Sequence, residues 1–248
     1  MKTHIIHPIP LVIRGRPMSD SVYRMSNALG PVSVIGVFVW YIEGPKENIL
    51  VDSGMTWDIY EKMGVSGHTH VQTLREGLAK YHLEPGDIDI ILQSHLHLDH
   101  RALATEFTKA RFIIQQAEID HNLNPPPPPI EPMPCPREFI DKIKWEPITG
   151  DAKITDGVTV LSTPGHTPGS QSTAVKTDKG LAIIDGLCTT FSNWNVPKAL
   201  QSNFEFFTPG IHSDIAPAYK SLKRIKEMAA IRIPSHEVRW SFVEKIPE

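Results

Sequence analysis

Cysteine is scarce in this 248-residue chain: only Cys135 and Cys188 occur, far apart in sequence. Two such residues do not make a disulfide framework, and the scarcity makes a reducing cytoplasm the expected compartment. Long apolar runs are missing as well. No segment approaches the roughly 20 apolar residues that a membrane span needs, so no membrane association is expected. The opening "MKTHIIHPIPLVIRG" carries a short apolar run broken by Pro8 and Pro10, and lacks the uninterrupted apolar stretch of a signal peptide. Positive charge is not in excess either. A net charge of −3 without a basic stripe argues against nucleic acid as a partner. With 40% hydrophobic and 21% charged residues, the balance is that of an ordinary globular protein. The length suits one sizeable domain spanning 1–248.

What is present is a series of short elements. "VSVIGVFVWYI" (Val32–Ile42) is β-branched and aromatic and predicts a buried strand. "NILVDSG" (Asn48–Gly54) predicts a second, with the turn-like "EGPKE" joining the two as a hairpin. "VQTLREGLAKYHL" (Val71–Leu83) places Leu74, Leu78 and Tyr81 at helical spacing and is ended by "EPGD". "IDIILQS" (Ile88–Ser94) and "RFIIQ" (Arg111–Gln115) predict strands. "NPPPPPIEPMPCP" (Asn124–Pro136) excludes helix and interior strand, because proline lacks the N–H donor; it predicts a semi-rigid surface excursion of polyproline character. "GVTVLSTPGHTPGS" (Gly157–Ser170) is a strand running into a loop, and "STAVKTDKGLAIIDG" (Ser172–Gly186) is a hairpin turning at "TDKG". A helix over Ser213–Ala229 has Ser213 as its expected N-cap and Ala218, Leu222, Ile225 and Ala229 on one stripe. "IRIPSHE" closes with a last short strand. The order suggests two similar halves, each a sheet with helices on one face. Stacked sheet to sheet, they give an α/β fold with four layers, an αβ/βα sandwich.

Histidine is plentiful, at 12, and unevenly placed. "SHLHLDH" (Ser94–His100) crowds His95, His97, Asp99 and His100 onto the end of a predicted strand. Residues i and i+2 share a face on extended chain, while His100 requires a turn. A loop leaving the strand aims His95 and His97 at one point, and Asp99 and His100 at another. Imidazole and carboxylate suit zinc, and also iron or manganese. Without a metal, such a group of side chains would suffer repulsion and desolvation with no compensating gain. Further ligand types follow other predicted strands: His166 in "TPGHTPG", Asp185 after "LAII", and His236 in "PSHE". A carboxylate has two oxygens to offer two ions, so Asp185 fits a bridging position. Two metals about 3.5–4 Å apart can hold a hydroxide between them, a nucleophile at neutral pH because metal lowers the pKa of bound water towards ~7.

"SHLHLDH", "TPGHTPG", "AIIDG" and "PSHE", in this order and preceded by "NILVDSGM", resemble the metallo-β-lactamase superfamily across nearly the whole chain. The layout is most similar to the N-acyl homoserine lactone lactonases, cytosolic dinuclear hydrolases. The resemblance implies two divalent metal ions, zinc first and iron or manganese next. His95, His97 and His166 would hold one ion, Asp99, His100 and His236 the other, and Asp185 would bridge. The implied reaction is lactone opening by the bridging hydroxide, with the second metal or Asp99 stabilising and protonating the leaving alkoxide; a homodimer is the implied assembly. Two positions depart from the family. Cys188 stands where those lactonases have a tyrosine that contacts the substrate carbonyl, and a thiol is a weaker donor. "RALA" (Arg101–Ala104) replaces a small residue and two glycines, and adds a cation that would favour an acidic substrate or else serve the helix start.

Other residues carry expectations too. Asp52 in "VDSG" should hold a ligand histidine by a hydrogen bond. His68 and His70 in "SGHTH" read as loop residues lining a pocket. His212, before the last helix, is the candidate proton donor. Phe191–Phe207 carries Trp194, Phe204, Phe206 and Phe207 with weak periodicity and reads as core or as an aromatic wall over the metals; Trp40 reads as core. Cys135, among prolines, carries no assigned role. The competing reading is a thioesterase of the glyoxalase II type, against which no basic cluster near the C-terminus stands ready for an anionic thiol. A flavodiiron-type oxidoreductase usually has Glu at the position of His97, and nuclease relatives would want more positive charge. A non-catalytic protein of this fold is the least favoured, since no ligand is lost.

Overall fold

The computed structural model describes residues 3–17, 32–44, 46–64, 67–127 and 134–248. Its first strand is one that the sequence pattern does not signal. β1 (Ile5–Pro17) pairs antiparallel with β2 (Val32–Glu43) from Ile5–Glu43 to Pro17–Val32. Pro8 and Pro10 disguise it. The Ile6 N–H points away from β2 and donates to the Ile246 carbonyl at 2.9 Å. Residues at even positions share that outward direction, so the two prolines remove no bond to β2. A register shift between Pro10 and Val12 follows.

β3 (Ile49–Val51) completes the predicted hairpin with β2. Then come α1 (Trp57–Lys62), β4 (His68–His70), α2 (Leu74–Ala79), β5 (Ile90–Leu92) and α3 (Leu98–Arg101). β6 (Arg111–Gln115), α4 (Gln116–Leu123), α5 (Arg137–Ile140) and β7 (Trp145–Ile148) follow. The second half has β8 (Ala152–Thr155), β9 (Val158–Ser162), β10 (Gln171–Thr177) and β11 (Gly180–Ile184). α6 (Phe191–Trp194), α7 (Ile215–Met228) and β12 (Ile231–Ile233) end the series. Among the described residues, a seven-stranded sheet runs β4-β1-β2-β3-β5-β6-β7, and a five-stranded sheet runs β12-β11-β10-β9-β8. β3, β5, β6 and β7 are parallel to one another, as are β11 and β12.

Alternation along β2 shows how the layers form. Val37, Val39 and Tyr41 point to one face, where they pack with Tyr60 of α1 and Leu74 and Leu78 of α2. Phe38, Trp40 and Ile42 point to the other, where they meet Val158, Val160, Val175 and Ile184 of the second sheet. Beyond that sheet, Leu161 and Ile183 pack on Leu222 and Ile225 of α7. Helix, sheet, sheet and helix are therefore the four layers expected, with the central apolar seam between the sheets. Full burial of each large side chain in that seam stabilises by about 1.5–3 kcal/mol.

Several local expectations are corrected. The helix expected over Val71–Leu83 is only Leu74–Ala79, started by a capping box of Thr73 and Glu76 and closed by His82 at φ 59°. The N-cap of α7 is Asp214, whose carboxylate accepts from the Ala216 N–H at 3.0 Å, not Ser213. Ser213 is engaged elsewhere: its N–H and hydroxyl both donate to the Gly165 carbonyl. His68 and His70 are not loop residues but the ends of edge strand β4, paired with β1 and set beside Trp57. Of the proline-rich stretch, residues 128–133 lie outside the described residues, and its flanks at 125–127 and 134–136 carry no helix or strand. Among the described residues no helix is long and apolar enough to cross a membrane.

Candidate metal centre

The chain leaving β5 stays extended through His97 (φ −65°, ψ 151°) and then turns into α3. Extended backbone puts His95 and His97 on one side, and the first helical turn swings Asp99 and His100 to another. The sequence spacing and this change of geometry are the same fact. His166 enters from the loop after β9, Asp185 from the end of β11, and His236 from the turn after β12.

These side chains converge. The donor atoms of His95, His97 and His166 all lie within 4.8 Å of one another, as do those of Asp99, His100 and His236. Inside the groups, His95 Nε2 is 3.2 Å from His166 Nε2, and His100 Nε2 is 3.3 Å from His236 Nε2. The rings of His95 and His100 are 4.0 Å apart between centroids, so the two groups adjoin.

Each buried histidine is held by its other nitrogen. The Asp52 carboxylate accepts from His100 Nδ1 at 2.7 Å, the Ile211 carbonyl from His166 Nδ1 at 2.8 Å, and the Gly36 carbonyl from His236 Nδ1 at 2.9 Å. The Ser94 hydroxyl donates to Asp52, so its oxygen accepts from His95 Nδ1 at 2.9 Å. Every one of these Nδ1 atoms is thus engaged outward, and the Nε2 atoms face one another in pairs. Nitrogens turned towards one another at 3.2–3.3 Å are placed to share a cation. Charge agrees. Burial, then the neighbouring imidazoles, hold His95 and His166 well below the ordinary histidine value, which keeps their lone pairs available. Burial pushes the Asp185 carboxyl up to about 6, against hydrogen bonds from Thr189 and Ser235. Burial also opposes a charge on His236, yet Cys188 and Asp99 push it up to about 10. Against the cost of burial, His100, His236 and His97 hold Asp99 below the usual carboxylate range. Negative groups that retain protons on their neighbours in this way fit a site built for divalent cations, and the nitrogen and oxygen donors suit zinc.

A family model described as the metallo-beta-lactamase superfamily matches residues 32–236, a span that includes every one of these side chains. The chain belongs to the metallo-beta-lactamase superfamily. As such it is a metal-dependent hydrolase of lactonase-like layout. The N-acyl homoserine lactonase AiiA of Bacillus thuringiensis subsp. kurstaki is 28% identical over 227 residues, covering 86% of this chain and 85% of AiiA. A solved N-acyl homoserine lactone hydrolase, with N-hexanoyl-L-homoserine bound at its catalytic metal centre, has a TM-score of 0.76 at 24% identity, covering 100% of this chain and 99% of that one. AidC, a dizinc quorum-quenching lactonase, has a TM-score of 0.70 at 16% identity, covering 96% and 89%. These last two likenesses are of fold.

In this superfamily member Asp185 stands next to the second group but outside both triads. Its Oδ2 accepts from Thr189 Oγ1 at 2.5 Å, and its Oδ1 from Ser235 Oγ at 3.2 Å and the Ser235 N–H at 3.3 Å. His212 follows Ile211, the residue that holds His166, and its Nδ1 donates to the Pro209 carbonyl at 2.7 Å. Arg101 is buried. Its Nε donates to the Leu96 carbonyl at 2.8 Å and its guanidinium lies 4.5 Å over the Phe139 ring. Trp194 and Phe206 belong to the core behind the second sheet, and Trp40 to the seam, so the aromatic stretch is mostly core. Phe204 is exposed and sits 5.4 Å from Phe207.

One important residue escapes sequence reasoning. Glu118, fully buried on α4, accepts from the Leu96 N–H at 2.9 Å, from Thr167 Oγ1 at 2.6 Å and from the Gly169 N–H at 3.2 Å. One carboxylate thus joins the loop of His95 and His97 to the loop of His166. In "QQAEIDHNL" it reads as any charged helix position, and no sequence signal distinguishes it.

Proposed function

We propose that residues 1–248 act as one hydrolase domain that opens a lactone, or a similar cyclic ester or amide, at two divalent metal ions, zinc being the metal the donors favour. The observation that carries this reading is the pair of adjoining triads, in which His95, His166, His100 and His236 turn Nε2 towards one another in pairs. The 28% identity to AiiA supports a lactone as the substrate class. His95, His97 and His166 would hold one ion, Asp99, His100 and His236 the other, and Asp185, beside Ser235 and His236, would contact both. When bound, the ions supply Lewis-acid polarisation of the ester carbonyl and an acidified water.

The chain's own residues do the rest. The Nδ1 tethers to Asp52, Ser94, Ile211 and Gly36 fix the imidazoles so that nothing has to reorganise during the reaction. Water adds across the ring ester bond: its oxygen joins the carbonyl carbon as the ring C–O bond breaks, and the alkoxide takes a proton to give the hydroxy acid. Asp99, an ionised carboxylate at the site, accepts the proton that the water gives up and returns it to the alkoxide. His212, next to the residue holding His166, is the second proton donor. Arg101 is assigned to bracing the His95–His100 loop through Leu96 and Phe139 rather than to substrate.

The test is a substrate panel of acyl-homoserine lactones, simple lactones, thioesters, β-lactams and phosphodiesters, with metal analysis alongside. Lactone opening with two ions per chain is the expected result. Thioester cleavage with the lactones untouched would overturn the substrate class. Asp185→Asn should bind the second ion more weakly and turn over far more slowly; full rate with both ions present removes Asp185 from the bridging position.

A further inference from the structure

Gln93 is fully buried where the chain leaves β5. Its side-chain Nε2 donates to the His95 carbonyl at 2.9 Å, to the His100 carbonyl at 2.9 Å and to Asp52 Oδ1 at 3.1 Å. One amide nitrogen thus touches the main chain of a residue from each triad, and the carboxylate that orients the rings of both. Turned over, the amide would set Oε1 against three oxygens, so its orientation is fixed. In that orientation Oε1 is buried and meets no donor among the described residues. A buried acceptor without a partner costs stability, and an apolar side chain of the same length would fill the space without that cost. The acceptors do not all need Gln93. The His100 carbonyl also takes the N–H groups of Ser53 and Gly54, at 2.8 and 3.2 Å, and the Ser53 hydroxyl at 3.1 Å. Asp52 Oδ1 also takes the Ser94 N–H at 2.7 Å. What Nε2 adds is a tie between two carbonyls, and among the described residues no other side chain donates to both. The backbone of Gln93 is itself held from both sheets: its N–H donates to the Ile113 carbonyl of β6 at 3.0 Å, and its carbonyl accepts from Gln171 Nε2 of β10 at 2.9 Å.

We propose that Gln93 is a positioning residue that sets the separation of the two metal ions. The proposal rests on the dinuclear reading above. Asp52 and Ser94 orient the rings of His100 and His95, whereas Gln93 fixes the main chain that carries them. With both carbonyls on one nitrogen, the two rings stay 4.0 Å apart between centroids. Ions held by those rings then stay within the roughly 3.5–4 Å at which they share a bridging ligand. Without the amide, each triad keeps its ring tethers and its own donors, but the spacing between the triads relaxes. The loss falls on the coupling of the two ions rather than on the first ion bound. A buried oxygen left without a donor is the cost of keeping that nitrogen in place.

Metal-free protein titrated with cobalt(II) tests this in two variants. Gln93→Met keeps the length and carries no amide; Gln93→Asn keeps the amide but is one methylene too short to reach both carbonyls. Two cobalt ions that share a bridging ligand couple their spins. The electron paramagnetic resonance signal of doubly loaded wild type should therefore fall well below twice that of the singly loaded protein. In both variants the second ion should bind at least about tenfold more weakly and, once bound, add its full signal. Metal-free Gln93→Met should melt within about 4 °C of wild type, since the unpartnered oxygen leaves together with the donor. If Gln93→Met does not fold, Gln93→Asn decides. Coupling retained in a folded variant, or failure of both variants to fold, makes Gln93 a plain core residue and leaves the dinuclear reading standing. Wild type that binds fewer than two ions, or two that do not couple, overturns both.

Discussion

The Asp52 carboxylate accepts the Nδ1 proton of His100 at 2.7 Å, although the two residues are 48 positions apart. Asp52 sits directly after β3 in a left-handed conformation, φ 64°, which aspartate tolerates better than most residues. The same carboxylate takes the Ser94 N–H at 2.7 Å and the Ser94 hydroxyl at 2.9 Å. It thereby orients the ring of His100 directly and that of His95 through Ser94. Asp52→Ala leaves buried donors unsatisfied, at about 1–3 kcal/mol of stability. It should also weaken metal binding by about 10–100-fold. Chelator-competition titration and thermal unfolding measure the two effects; unchanged metal affinity in a destabilised protein would confine Asp52 to the fold.

Glu118 should matter for the first ion. Glu118→Gln keeps the shape but turns an N–H towards Thr167 Oγ1 and the Gly169 N–H, or else towards the Leu96 N–H. At least one buried donor then faces a donor, costing about 1–3 kcal/mol. Because the carboxylate joins two ligand loops, the ion on His95, His97 and His166 should bind less tightly, while the site of Asp99, His100 and His236 changes less. Loss of stability with both affinities intact would make Glu118 a plain core residue.

Acid should release metal and weaken the fold together. His95 and His166 are held well below the ordinary histidine value of 6.5. Below about that value the unfolded chain takes up protons that these two folded imidazoles refuse, so their contribution to the stability of the metal-free protein is lost as pH falls, while His236, pushed up to about 10, contributes with the opposite sign above that value. The same refusal keeps the lone pairs available to metal at pH values where a free histidine is already half protonated. Dialysis at stepped pH with elemental analysis should find metal retained at pH 6 and lost on further acidification. Release beginning above pH 6.5 contradicts the neutral-imidazole site.

Much of this was legible in the residues, and the exceptions have physical causes. β2, β3, β5 and β6 announce themselves as β-branched or aromatic runs, and α7 as a stripe of Ala218, Leu222, Ile225 and Ala229, the last of which is its C-cap. The ligands were legible because histidines and aspartates crowded at the ends of apolar strands would repel one another and lose hydration unless a cation sat among them. β1 was hidden because proline usually marks a break, and only the pairing direction shows that these prolines face outward. Glu118 and the tether of Ser213 to Gly165 were hidden because their partners are 51 and 48 positions away in sequence. Local pattern carries no trace of such contacts.

The glycines of "TPGHTPG" bring the His166 loop within contact of two helices. A Cβ on Gly169 would lie 2.1 Å from the Glu118 backbone nitrogen and 2.5 Å from its Cα. Gly165, at φ +135°, would place a Cβ 2.2 Å from the Ala218 nitrogen on α7. In both cases the obstacle is helix backbone, which yields less readily than a side chain. Gly169→Ala must push the loop off α4, stretch the 3.2 Å bond from its N–H to Glu118, and displace His166 three residues away. The expected cost is about 1–3 kcal/mol or more from overpacking, with weaker binding of the first ion. Gly86→Ala is the control, since nothing lies within 4 Å of the added carbon there, and it should stay within about 0.5 kcal/mol of wild type. Thermal unfolding and zinc titration of both variants decide the matter: if Gly169→Ala is as mild as Gly86→Ala, the close approach of loop to helix does not hold the histidine in place.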